Sequence, residues 1–247
     1  MKFGVCTDLA GAPAILDAGF DYVEVGASGF SGFEETWDRE TYAALPILAT
    51  NLFFDGRIKL FGEDRTPYRD YAERTITRAA SLGIPVMVIG SGAARRSPEG
   101  FDGDQAFADV VAELAGIAKP LGVALAPESL NRSETNTGND LRSLALALRE
   151  RGVGYTADSY HILYEWDAED RYAGLRELFL VQVPFAPAHV HIADLPRQGV
   201  STDDEMLRAF AMRLKELGYA GNVSLECMRG PDFNHAAALT ALRALFA

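Results

Sequence analysis

The sequence predicts an α/β protein, a (β/α)8 TIM barrel, on three observations. The chain has 247 residues, a length typical of eight β/α units. Eight short apolar runs alternate with segments of helical periodicity. No linker or low-complexity stretch interrupts the series, so residues 1–247 read as one domain. Such alternation calls for parallel strands joined by crossover helices. Closing eight strands into a barrel removes the edges an open sheet would expose.

Taken in order, residues 3–6 form a first strand, and an Ala-rich helix over 11–18 stops at Gly19. Glycine ends helices because it enters the left-handed region without strain. The second strand, 21–25, turns Glu24 into the barrel, where it reads as a structural ion pair. Residues 27–45, with Phe30, Phe33 and Trp37, read as a loop with a short helix covering the barrel mouth. The third strand is 46–54. A helix over 68–82 follows, with Tyr71, Ala72, Thr75, Ile76 and Ala79 at helical spacing and Gly83 at its end. The fourth strand, 85–89, is uninterruptedly apolar and therefore buried on both faces. It runs into Gly90-Ser91-Gly92 and then Arg95-Arg96, which either hold an anion or stand solvated on a loop.

The second half repeats the pattern. Helical spacing from Phe107 to Leu121 leads to a strand at 123–126 that runs into Glu128. A helix over 141–148 stops near Gly152, and the strand 153–157 leads to Asp158. A helix is expected over 168–182. The next stretch, His189-Val190-His191-Ile192-Ala193-Asp194-Leu195-Pro196-Arg197, reads as a strand ending in chemistry. Val190 and Ile192 lie on one face, and His189 and His191 on the other. Pro196 stops the strand, leaving Asp194 and Arg197 in the turn. His189 taken alone reads as a satisfied core histidine. Leu207 to Leu217 form a helical stripe closed by Gly218. The last strand, 222–225, leads to Glu226, and the helix over 237–245 completes the chain.

Composition narrows the class of function. A net charge of −12 argues against nucleic-acid backbones and anionic membranes as partners. No secretory leader or membrane span is expected, which suits a cytoplasmic protein. Two cysteines, Cys6 and Cys227, make neither a disulfide framework nor a zinc pattern. If the first and last strands are neighbours, these reduced thiols lie close together.

In such barrels, sites form at the C-terminal ends of the strands. Four consecutive strands end in Glu128, Asp158, His191 and Glu226, so these side chains can converge on one point. Three carboxylates and an imidazole form a hard, oxygen-rich set suited to one divalent cation. Mn2+ fits best, with Mg2+, Co2+ or Zn2+ also accommodated. Each acid alone could cap a helix or pair with an arginine, a reading that fits the four together poorly. Asn131, Arg132 and Glu134 follow Glu128 closely, His161 lies one turn past Asp158, and Arg197 follows His191. Arg132 suits a barrel-rim salt bridge as well as a substrate contact.

The runs Glu128-Ser129-Leu130-Asn131-Arg132-Ser133-Glu134, Asp158-Ser159-Tyr160-His161, His189-Val190-His191 with Arg197, and Ser224-Leu225-Glu226 carry a resemblance. Together they resemble the xylose isomerase-like TIM-barrel superfamily, and within it the sugar isomerase/epimerase branch of D-tagatose 3-epimerase type. The resemblance implies that Glu128, Asp158, His191 and Glu226 bind the metal, and that Glu134, His161 and Arg197 contact substrate hydroxyls. Two features depart from the pattern. A Gln198-Gly199-Val200-Ser201 run stands where the family often has Pro-Gly-x-Gly, and Pro127 precedes Glu128 rather than following it.

The implied reaction is metal-dependent proton transfer next to a carbonyl through an enediolate, with Glu128 and Glu226 as acid–base pair. Three alternatives share the scaffold. A dehydratase of inosose or dehydroshikimate type forms the same enediolate and then expels a hydroxyl. An endonuclease IV-type enzyme uses several zinc ions on abasic DNA, for which four histidines and an acidic chain are poorly equipped. A non-catalytic sugar-binding barrel would lose an acid–base residue, yet both glutamates are present. The expected partner is a small sugar or polyol-derived substrate, and a homodimer is plausible from the apolar loops.

Overall fold

A computed structural model describes residues 1–64, 66–164, 183–230 and 232–247. Eight strands appear: β1 (Phe3–Thr7), β2 (Tyr22–Gly26), β3 (Ile47–Asn51), β4 (Val86–Ile89), β5 (Ala124–Pro127), β6 (Thr156–Asp158), β7 (His189–Ile192) and β8 (Val223–Leu225). They pair in the order β5-β4-β3-β2-β1-β8-β7-β6, every pair parallel. Among the described residues the barrel closes between β5 and β6 through one parallel bridge, Glu128 to Thr156. Thr156 Oγ1 supports that seam by donating to the Ala126 carbonyl at 2.8 Å.

The helices α1 (Ala12–Asp17), α2 (Arg39–Ala43), α3 (Arg69–Ser81), α4 (Gly103–Ala118), α5 (Leu141–Glu150) and α6 (Ser159–Tyr164) intervene. Two more, Glu205–Glu216 and His235–Phe246, flank β8. Their faces follow the sequence spacing; α5 buries Leu141, Leu144, Ala145 and Leu148. Five of these helices begin at a side-chain cap: Asp38, Asp102, Asp140, Asp204 and Asn234 each accept a backbone N–H. Such a cap contributes about 1 kcal/mol by satisfying a donor that the helix itself leaves unpaired.

Several boundaries depart from expectation for local reasons. The third strand stops at Asn51 rather than 54, because Leu52 adopts φ +49° and turns the chain. Phe53 and Phe54 then pack on Tyr71. The sixth strand starts at Thr156, since Val153 donates its N–H to the Leu148 carbonyl in the turn that closes α5. The segment 27–45 carries the short helix α2 and lends Ser28, Gly29 and Tyr42 to the wall of the cavity at the barrel mouth. It packs beside α3, with Gly32 N–H donating to Thr75 Oγ1 and Arg78 donating to Phe30 O. Arg95 is fully buried, with its guanidinium 4.7 Å over the Phe107 ring, so it is not a loop cation open to an anion. The helix expected over 168–182 falls outside the described residues.

Candidate metal centre and active site

The strand ends bring the four predicted side chains together. Asp158 is the last residue of β6, and it pairs with His191 of β7, which pairs with Ser224 of β8. Glu128 and Glu226 each lie one residue past their strands, where their N–H groups donate to the Ile89 and Ile192 carbonyls at 3.1 Å. These ladder bonds carry the barrel's register one residue beyond the strand and aim both side chains inward. Arg95 Nη1 donates to the Glu128 carbonyl at 2.8 Å, holding the same residue from behind. One ligand atom from each of Glu128, Asp158, His191 and Glu226 lies within 4.8 Å of the others. His191 Nδ1 stands 3.0 Å from Glu128 Oε1 and 2.9 Å from Glu226 Oε2.

Crowding sets the electrostatics. Burial and the charges of Glu128 and Glu226 push the Asp158 carboxyl well above the usual range. Burial acts the same way on Glu128, but His191 outweighs it and brings that pKa down to about 2. Burial would lower the His191 imidazole, yet Glu24, Glu226 and Glu128 raise it well above its ordinary value. Asp158 Oδ2 is buried and makes no hydrogen bond among the described residues. His161 Nε2 and Arg197 Nη2 stand off from it at 3.8 and 3.9 Å. A buried carboxylate oxygen without a donor, beside two more carboxylates and an imidazole nitrogen, fits an oxygen-preferring divalent cation.

The remaining predicted residues surround this cluster. Arg197, at φ +71° in the turn after β7, donates from Nε to the Glu226 carbonyl at 3.1 Å. Its Nη2 lies 2.7 Å from Glu226 Oε2, and its guanidinium lies 4.5 Å over the Tyr160 ring. His161 is buried, which lowers its pKa. Its Nδ1 accepts the Asn131 backbone N–H at 3.2 Å, which leaves the proton of a neutral ring on Nε2, toward Asp158. Glu134 is more open; its Oε1 accepts from Asn131 Nδ2 at 3.1 Å and lies 3.9 Å from His161 Nδ1.

A cavity of about 680 Å³ opens beside the cluster, with Glu226, Arg197, Cys6, Thr7, Asp8 and Asn51 in its lining. Both cysteines line it, and both are unpaired thiols. Asp8 and Asn51 carried no motif in the sequence. Treating the ends of strands one and three as rim positions, like the later four, would have singled them out.

A parallel eight-stranded barrel with its polar centre at the C-terminal rim defines a β/α-barrel protein of the kind that builds sites from strand ends. The xylose isomerase-like TIM barrel family matches residues 13–245, and the chain belongs to that family. No curated protein matches its sequence. Among solved structures it is similar to the apo form of 3-keto-D-glucoside 4-epimerase YcjR from E. coli (TM-score 0.73, 23% identity, 99% of this chain and 98% of that one). It is also similar to D-psicose 3-epimerase in the presence of D-fructose (TM-score 0.71, 19% identity, 98% and 90%). A third similar structure is the IolI protein with a bound zinc atom (TM-score 0.68, 18% identity, 99% and 96%).

Proposed function

We propose that this protein is a divalent-cation-dependent sugar isomerase/epimerase acting by proton transfer next to a carbonyl. The observation that carries the reading is the convergence of Glu128, Asp158, His191 and Glu226 beside a cavity of sugar size. The similarity to two sugar epimerases and to a zinc-bound barrel supports it. Glu128, Asp158, His191 and Glu226 hold the cation, with Mn2+ the best match to three carboxylates and one imidazole, and Mg2+, Co2+ or Zn2+ acceptable. When bound, it supplies Lewis-acid stabilisation of the charge that develops on a carbonyl oxygen.

The chain's own residues do the rest. Glu226 faces the cavity, with 22% of its side chain exposed. Its carboxylate takes the proton from the carbon beside the carbonyl, and the C–H electron pair moves into an enediolate. Against the cost of burial, His191 and then Arg197, at 2.7 Å, hold Glu226 ionised for that task. Glu128, which meets the same His191 nitrogen, takes up a proton from water as the enediolate forms and delivers it to the opposite face, inverting the centre while Glu226 releases its own proton to water. Return to the neighbouring carbon instead interconverts an aldose and a ketose. His161 Nε2–H and Arg197 orient substrate oxygens, and Glu134 binds a hydroxyl at the open edge.

The reading also treats residues 1–247 as one domain, working in the cytoplasm as a homodimer. Two free thiols accord with a reducing compartment, and no helix among the described residues is long and apolar enough to cross a membrane. Exposed Leu52 and Met228 offer apolar rim surface for a second copy.

The test is proton exchange. With Mn2+ in D2O, a ketohexose should acquire deuterium at the carbon next to its carbonyl, read by NMR, and Glu226→Gln should abolish this while keeping the wild-type circular dichroism. Loss of a hydroxyl as water would instead mark a dehydratase, and full activity in Glu226→Gln would remove the assignment.

A further inference from the structure

Glu24 takes no part in the chemistry above, yet it is a fully buried carboxylate at the barrel centre. It sits in β2, across the barrel from β7, and both of its oxygens are used. Oε1 lies 2.9 Å from His191 Nε2. Oε2 lies 2.8 Å from His189 Nε2 and accepts from Ser224 Oγ at 2.6 Å. Ser224 Oγ is in turn 2.7 Å from Tyr22 Oη. Tyr22 reaches this point because position 4 is glycine: a Cβ there would come within 2.3 Å of the Tyr22 ring.

The carboxylate is therefore held from one side and grips His191 from the other. The grip has a direction. His191 Nδ1 faces Glu128 and Glu226, while Nε2 faces Glu24. Carboxylates face both ring nitrogens, but a cation that takes the Nδ1 lone pair leaves the ring's one proton on Nε2, where the Glu24 carboxylate accepts it and fixes the ring's orientation. Burying a charge merely to pack a barrel floor is costly, and an apolar side chain would serve that purpose as well. Orienting an imidazole is a task an apolar side chain cannot perform.

We propose that Glu24 is a positioning residue, which, braced by His189, Ser224 and Tyr22, presents His191 Nδ1 to the cation and thereby sets how tightly the protein binds it. The proposal rests on the reading of His191 as a cation ligand. Partners of this kind typically change metal affinity about 10–100-fold when removed.

Mn2+ titration by calorimetry tests it without reference to turnover. Wild type should bind one ion. Glu24→Gln should bind it about 10–100-fold more weakly, and Glu24→Asp, which keeps the charge, should recover part of the loss. Equal affinity in wild type and Glu24→Gln would overturn the proposal while leaving the proposed function standing. No binding by wild type would overturn both. Should Glu24→Gln not fold, the wild-type protein loaded with Zn2+ still decides by long-range 1H–15N NMR of its histidines. A His191 Nε2 proton shifted far downfield and slow to exchange, as a hydrogen bond to the Glu24 carboxylate makes it, supports the proposal; an Nε2 proton at the ordinary imidazole position overturns it and leaves His191 as a ligand.

Discussion

Arg197 makes two different contacts with one residue, a hydrogen bond from Nε to the Glu226 carbonyl and an ion pair from Nη2 to the Glu226 carboxylate. The planar fork of a guanidinium allows both at once, and the point charge of an ammonium does not. Arg197→Lys should therefore lower kcat/KM about 30-fold, the equivalent of ~2 kcal/mol for one lost charge-assisted hydrogen bond. Steady-state kinetics at saturating Mn2+ checks this. The chain also holds Arg197 at a positive φ, with Met228 N–H donating to its carbonyl at 2.7 Å, so its placement belongs to the turn. The sequence pointed to Arg197 by its spacing from His191. It held no sign that Tyr160 would lie beneath the guanidinium, because that contact joins two separate strand ends.

Elements place these residues, and caps place the elements. Asp204 accepts the N–H groups of both Met206 and Leu207, starting the helix that follows the β7 loop. Asp204→Ala should cost about 1 kcal/mol of stability, read as a lower melting temperature with kcat unchanged. Caps, glycine stops and buried stripes are local patterns, and most elements appear where the sequence sets them. The misplacements are also local. Leu52 leaves the strand through a left-handed φ that a leucine gives no warning of. Arg95 followed a Gly-Ser-Gly run and looked like a loop cation. It lies buried because the Glu128 carbonyl and the Phe107 ring, remote in sequence, receive it.

At the scale of the whole molecule, the barrel is weakest at its own seam. Between β5 and β6, one bridge at Glu128–Thr156 and the Thr156 side-chain bond close the wall among the described residues. Glu128 and Asp158 stand on the two sides of that seam, so a cation held by both would clip it shut. Removing cations with EDTA should lower the melting temperature, and Mn2+ should restore it. At a cation concentration 100 times Kd, the linkage stabilises by about 2.7 kcal/mol. Hydrogen exchange should rise first at residues 126–128 and 156–158. A melting temperature indifferent to both treatments would argue against a resident cation.

What the sequence determined by itself was the alternation of strands and helices, the barrel that follows from it, and the acids and imidazole at four consecutive strand ends. All three are written in short-range order, as a period along the chain and as the residue that ends each strand. Only the tertiary structure decided which His191 nitrogen faces the cluster, that Glu24 grips both histidines, and that a cavity opens toward Asp8 and Asn51. Glu24 was legible as a buried charge in need of a partner, but not which partner, since β2 and β7 are far apart in the chain. Those contacts exist only once eight strands are wound into one closed wall, when residues 165 positions apart come within hydrogen-bond reach.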